Sequence, residues 1–204
     1  LLSRSQIFHL EPLAESDIEY PKSEPYKLCT FSRVMKEKGI EDAINAVESV
    51  NAHFGRTVYT LDIFGQIDVE YKERFSQLEK SFPDYISYGG AIEANKSVET
   101  LKSYFALLFP TYYKGEGFAG TLIDAMSAGV PVIASDWKYN PEFVVPGKTG
   151  VIIKNCNAER LAEELINIAA APEKWNSMRL SALKESEKYK PDIAARPLID
   201  RING

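Results

Sequence analysis

Two loops of this sequence concentrate residues that could handle an anion and a sugar. The first, Ser32-Arg33-Val34-Met35-Lys36-Glu37-Lys38-Gly39, sets Arg33, Lys36 and Lys38 around the start of a predicted helix. Cations there face the positive end of the helix dipole, which costs ~0.3–1 kcal/mol each unless an anion lies among them. A phosphate would resolve the conflict; solvated surface charges partly compensated by Glu37 account for the same residues. In the second, FPTYYKGEGFAGTLIDAMSAGVPVIAS at 109–135, Gly115, Gly117 and Gly120 flank Glu116 just before a predicted helix whose inward stripe is Leu122, Ala125 and Met126. Glycines admit close approach of a ligand, and the N–H groups of Ala119, Gly120, Thr121 and Leu122 could receive a phosphate or a sugar hydroxyl. Glu116 and Asp124, two helical turns apart, could face one cleft at different depths, and a carboxylate accepting from vicinal hydroxyls is an ordinary way to hold a sugar. A glycine-rich turn with an exposed Glu and a solvated Asp is the competing account.

The elements that must position these loops alternate along the chain. Strand-like runs at 26–33, 57–65, 84–90, 106–110, 131–135 and 150–154 are separated by helical patterns at 39–54, 69–80, 97–105 and 120–128, and a helix over 157–170 follows. The first helix carries Ile40, Ala43, Ile44, Val47, Val50 and Phe54 on one stripe of period 3.6. Strands such as Ala106–Phe109 and Val132–Ala134 are apolar on both faces, as a sheet covered on both sides requires. The expected fold is α/β, a doubly wound parallel sheet of Rossmann-like type built with right-handed crossovers. Ligands of such sheets bind beyond the carboxyl ends of the strands, which is where both loops fall.

Composition narrows the function. At 204 residues, 45% hydrophobic and 26% charged, the chain is an ordinary globular domain and neither disordered nor a coiled coil. Residues 1–25, rich in Pro and Glu, read as a lead-in segment, and 26–204 as the domain. With 24 Lys and Arg against 29 Asp and Glu, the net charge of −5 argues against general nucleic-acid binding. Cys29 and Cys156 are too few for a disulfide framework and imply a reducing compartment. No run approaches the ~18 apolar residues of a membrane span. The sequence begins without Met, so a longer parent protein is expected.

Taken together and in order, Ser32-Arg33, Lys38-Gly39, Glu116-Gly117-Phe118, the seven residues between Glu116 and Asp124, Ala128-Gly129-Val130-Pro131-Val132-Ile133-Ala134-Ser135 and Pro141-Glu142-Phe143-Val144 resemble retaining glycosyltransferases of the GT-B fold. More narrowly they resemble the large family 4 that includes capsule and lipopolysaccharide transferases. The resemblance covers about 26–200 and implies the carboxyl-terminal, donor-binding half of such an enzyme. By position it implies that Arg33 and Lys38 grip the donor diphosphate, with Ser32 beside them where the family has Gly. Glu116 would contact the donor sugar, within the loop Gly117, Phe118, Ala119, Gly120, Thr121 and Leu122. Asp124, where the family has Glu, would reach toward the ribose. Gly65 and Gly89 match the family's glycines after the next strands, and Gly90-Ala91-Ile92 would lie by the nucleobase with Lys96 nearby.

The resemblance further implies electrostatic stabilisation of a departing diphosphate by Arg33 and Lys38, with Glu116 at the sugar. It implies a nucleotide-diphosphate sugar as substrate, with UDP and GDP as candidate carriers, a saccharide or lipid-linked acceptor held by a missing amino-terminal half, and no cofactor. A cytoplasmic setting, with membrane association of the full-length enzyme, goes with it, as does inactivity of this half alone. No Asp-x-Asp tripeptide and no Cys/His cluster points to a bound metal. His9 and His53 are isolated; Trp137, Asn140 and Glu142 could line the sugar side of the cleft, with ordinary packing as the alternative for Trp137. Two other functions fit the same architecture: half of a non-hydrolysing sugar-nucleotide epimerase, which the Glu116 to Asp124 spacing disfavours, and a noncatalytic nucleotide-sugar-binding module.

Overall fold

The computed structural model describes residues 12–154, 156–194 and 201. Six strands, β1 (Tyr26–Phe31), β2 (Tyr59–Phe64), β3 (Ile86–Gly90), β4 (Ala106–Phe109), β5 (Val132–Ser135) and β6 (Gly150–Ile153), form one sheet in the order β3-β2-β1-β4-β5-β6. Every neighbouring pair is parallel. The connections are helical: α1 (Ile40–Phe54), α2 (Lys72–Glu79), α3 (Ser97–Leu101), α4 (Gly120–Ser127) and α5 (Asn140–Phe143), with α6 (Ala158–Ala169), α7 (Pro172–Asn176), α8 (Met178–Ser186) and α9 (Pro191–Ala194) after the last strand.

Period-2 alternation sends successive strand residues to opposite faces. Leu28, Leu61, Ile63, Ala106, Leu108 and Ile133 join one core with the stripes of α1 and α6 and with Phe75 of α2 and Trp175 of α7. Cys29, Phe64, Leu107, Phe109, Val132 and Ala134 join the other with Leu122, Ala125 and Met126 of α4 and Leu101 of α3. All four residues of β4 and of β5 are buried, as their unbroken apolar runs predict.

The predicted helix over 97–105 stops at Leu101. The Phe105 N–H pairs instead with the Lys27 carbonyl of β1 at 2.7 Å, and the buried Arg179 of α8 donates to the carbonyls of Lys102 at 3.2 Å, Tyr104 at 3.0 Å and Phe105 at 3.3 Å. Burial pulls this guanidinium down to about 10, and Trp175 Nε1 adds a bond to the Phe105 carbonyl at 3.0 Å. The lead-in also leans on this side of the domain. Leu13 N–H donates to the Ser127 carbonyl at 2.9 Å, Asn176 Nδ2 to the Pro21 carbonyl at 2.7 Å, and Ile18 is buried.

Candidate functional site

Between β1 and β4 the strand order reverses. The chain leaves β1 toward α1 on one face of the sheet and leaves β4 toward α4 on the other, so the two loops part and open a crevice at the topological switch point. Both chemistry-bearing loops lie on its walls.

Their residues meet in one ion pair. Lys38 Nζ lies 2.6 Å from Glu116 Oε2, and the two side chains are only 10% and 9% exposed. The ammonium also lies over the rings of Tyr113 and Phe109, 5.3 and 5.5 Å from their centroids. Thr111 Oγ1 approaches the same carboxylate oxygen at 2.8 Å. The Tyr112 N–H donates to the Glu37 carbonyl at 2.8 Å, tying the two loops together by their backbones. Arg33 stands further out, half-exposed, 3.4 Å from Asp68 and over the Tyr113 ring at 5.4 Å. Ser32 turns its hydroxyl to the Arg33 carbonyl at 3.2 Å.

Two glycines serve the backbone. Gly65 has φ 139°, and a Cβ there would sit 1.7 Å from the Ser32 carbonyl oxygen, so the ends of β1 and β2 approach as closely as they do only with glycine at 65. A Cβ on Gly89 would enter the Phe64 ring at 2.1 Å. By contrast, a Cβ on Gly117 or Gly120 would meet nothing within 4 Å, so this stretch faces open space. At the start of α4, Gly120 N–H donates to the Phe118 carbonyl at 3.1 Å and Leu122 N–H to that of Ala119 at 3.0 Å. The N–H groups of Ala119 and Thr121 have no acceptor among the described residues. The four amides read from the sequence as free therefore divide into two committed and two available. Ala119 is itself buried, and Phe118, 69% exposed, packs edge-on against Phe143.

Asp124 lies on α4, where that helix packs on α3. Burial raises its carboxyl above the ordinary range, and the Ser97 hydroxyl at the start of α3 works in the opposite direction. Ala91 is exposed, Ile92 half-buried, and Lys96 is exposed and paired with Glu93 at 3.1 Å. The structure brings Arg33, Lys38, Glu116 and the start of α4 together and leaves Lys96 outside any built contact with them.

Trp137 and Asn140 have tasks within the fold. Trp137 Nε1 donates to the Tyr113 carbonyl at 2.8 Å, and the buried Asn140 Nδ2 to the Ser135 carbonyl at 3.1 Å. Glu142 and His53 are exposed, and His9 falls outside the described residues. Among the described residues no three His, Cys, Asp or Glu side chains gather as a metal site, and no helix is long and apolar enough to cross a membrane. Thr111 and Ser135 are the members of the site that sequence reasoning missed. The place of Thr111, next to the proline that ends β4 and five residues before Glu116, is the signal that was available.

A parallel sheet of this order, with a cation, a carboxylate and a helix start converging at its switch point, defines a Rossmann-like ligand-binding domain. The family model for glycosyl transferases group 1 matches residues 14–185, and the chain belongs to that family. It is similar to the UDP-N-acetylglucosamine–peptide N-acetylglucosaminyltransferase GtfA subunit of Streptococcus gordonii, 33% identical over 67% of this chain and 26% of that protein. It is similar also to a GDP-mannose-dependent monoacylated alpha-(1-6)-phosphatidylinositol monomannoside mannosyltransferase of Corynebacterium glutamicum, 27% identical over 69% of this chain and 37% of the relative. The solved C-terminal domain of a glycosyl transferase group 1 family protein, LpcC, of Francisella tularensis shares the fold, with a TM-score of 0.71 at 19% identity over 90% of this chain and 97% of that one. The chain thus spans about a quarter to a little over a third of the two enzymes' lengths and nearly all of the isolated carboxyl-terminal domain. The GT-B half read from the motifs is the architecture found, and the family match supports the transferase over the epimerase and the noncatalytic module.

Proposed function

We propose that this chain is the donor-binding half of a retaining glycosyltransferase and works joined to an amino-terminal half that holds a saccharide or lipid-linked acceptor. The observation that carries the reading is the Lys38–Glu116 pair, 2.6 Å apart and nearly enclosed in the crevice between β1 and β4. An ammonium has three protons, so Lys38 can bond Glu116 and still offer donors to a diphosphate. Arg33, more exposed, adds charge from the rim, and the free amides of Ala119 and Thr121 complete the anion site. Glu116 faces the donor sugar across the open space over Gly117, and Asp124 reaches the ribose from α4.

As the anomeric bond breaks, negative charge collects on the diphosphate, and fixed cations in a site with little water stabilise that charge more than they stabilise the ground state. Arg33 and Lys38 take the place that a metal ion would have, so no metal is required. Alone, this half binds donor and turns over little, in a cytoplasmic setting where the complete enzyme associates with a membrane. The two relatives' names specify a UDP-sugar and a GDP-sugar, so both carriers are used in the test. Calorimetric titration of this chain with UDP, GDP, UDP-N-acetylglucosamine and GDP-mannose, without divalent metal, is expected to find binding by at least one. A folded domain that binds none of the four overturns the proposal.

A further inference from the structure

Below the Lys38–Glu116 pair runs a row of buried polar side chains. Asn140 Nδ2 lies 3.1 Å from the Ser135 carbonyl and 3.3 Å from its hydroxyl. Ser135 Oγ donates to the Thr111 carbonyl, 2.5 Å away. Thr111 is 1% exposed, and its hydroxyl accepts from the Tyr113 N–H at 3.2 Å. A threonine hydroxyl has one proton to give. Of the two acceptors in reach, the Glu37 carbonyl stands at 3.3 Å and Glu116 Oε2 at 2.8 Å, and the shorter contact is to the charged group. Asn140 and Ser135 are likewise almost wholly buried, at 1% and 5% exposure.

The two donors to Glu116 land on one oxygen. Lys38 Nζ and Thr111 Oγ1 both bond Oε2, and Oε1 has no donor among the described residues. A carboxylate held through one oxygen by two fixed donors has its rotation set, and its second oxygen is offered in a defined direction. Lys38 alone would not achieve this, because an ammonium on a four-carbon stem is a point charge that tolerates many orientations of its partner. A hydroxyl on a short β-branched side chain, itself anchored through its backbone carbonyl, has little freedom.

We infer that Thr111 is a positioning residue for Glu116: with Lys38 it fixes Oε2, so that Oε1 is presented to a hydroxyl of the donor sugar. This inference rests on the proposed donor site and adds to it the group that aims the acid. Thr111 does not touch the donor itself. Its removal should therefore spare the diphosphate and affect the sugar.

The test compares Thr111→Val, which keeps the shape and removes the hydroxyl, with Thr111→Ser, which keeps the hydroxyl, and uses Thr111→Ala should the valine variant fail to fold. Turnover is measured in a two-half protein that carries this chain, and affinity for UDP and GDP is measured on this chain. Thr111→Val is expected to lower kcat about 10- to 100-fold, the range for one hydrogen bond to a charged group, with affinity for the bare nucleotide diphosphate within about twofold of wild type. Thr111→Ser should restore turnover to within about threefold. In a Glu116→Gln background the valine substitution should add almost nothing, because a residue acting through Glu116 has no further route to the rate. Unchanged turnover in Thr111→Val, equal loss of bare diphosphate affinity, or full additivity with Glu116→Gln would each overturn the inference. A wild-type chain that binds no nucleotide diphosphate defeats the donor reading itself, a result distinct from all three.

Discussion

The two sides of the crevice are built differently. On the β1 side and in the first half of the loop after β4, the groups that meet in the crevice are tied down: Lys38 to Glu116, Arg33 to Asp68, Glu116 to Thr111, and the Tyr112 amide to the Glu37 carbonyl. From Gly117 to the start of α4, and across Gly90–Lys96, the chain is open, with space over Gly117 and Gly120, a free amide at Thr121, and Lys96 facing solvent. Fixed dipoles and charges assist a reaction because they need no reorganisation when charge develops. Open, uncommitted backbone admits a ligand closely. Under the proposed function, the knitted side is the one suited to developing charge and the open side the one suited to ligand entry.

The largest effects should come from breaking the knit. Gly65→Ala places a methyl 1.7 Å from the Ser32 carbonyl at φ 139°, and chemical denaturation should show a loss of about 3 kcal/mol or more, or no folded protein. Lys38→Ala should weaken nucleotide diphosphate binding by about 1.5–3 kcal/mol in calorimetry. It should also destabilise the fold by about 3 kcal/mol, because it leaves a nearly buried carboxylate with only Thr111. Adding Glu116→Gln should recover much of that stability without recovering the binding. Arg33→Ala, at a half-exposed pair, should cost affinity with stability within about 0.5 kcal/mol of wild type. If Arg33→Ala and Lys38→Ala destabilise equally, the distinction between rim and knit is wrong.

On the open side, Gly117→Ala should leave the melting temperature unchanged while lowering affinity for the intact nucleotide sugar by about 1–3 kcal/mol, the cost of overfilling a close contact. The smallest effect belongs to Asp124. Its carboxyl is raised by burial, so the folded state holds a proton more tightly than the unfolded chain does, and stability falls as pH rises from the unfolded value through the raised one. Asp124→Asn should therefore melt higher than wild type at neutral pH, and the advantage should fade as the pH is lowered toward the ordinary carboxylate range. Its nucleotide affinity should fall, since the carboxylate that would hold the ribose is gone.

Periodicity made the sheet legible because β4 and β5 are short, fully buried and unbroken, and because the stripe of α1 has no polar interruption before Asn51. That the loops of Arg33, Lys38 and Glu116 lie at one end of the sheet was legible because each follows a strand of a parallel sheet; the Lys38–Glu116 ion pair itself was not. What holds the site was not. Thr111, Ser135 and Asn140 are small polar residues that suit a surface turn as well as a buried row, and only the tertiary fold brings Ser135 and Asn140 under Thr111. Arg179 likewise gives no local sign that it caps carbonyls more than seventy positions earlier. The early end of α3 is equally hidden, since the Phe105 N–H is taken by the Lys27 carbonyl of β1.

Under the proposed function, a nucleotide diphosphate sits in the crevice between β1 and β4. An amide correlation spectrum of the isotope-labelled chain, recorded with and without UDP or GDP, tests it most directly. The amides of Lys38, Gly117, Ala119 and Thr121 are expected to shift together, with Thr121 moving strongly, and the same titration on Lys38→Ala should move them far less. Shifts confined instead to the groove between β6 and α6, around Val151, Glu164 and Asn167, would contradict it.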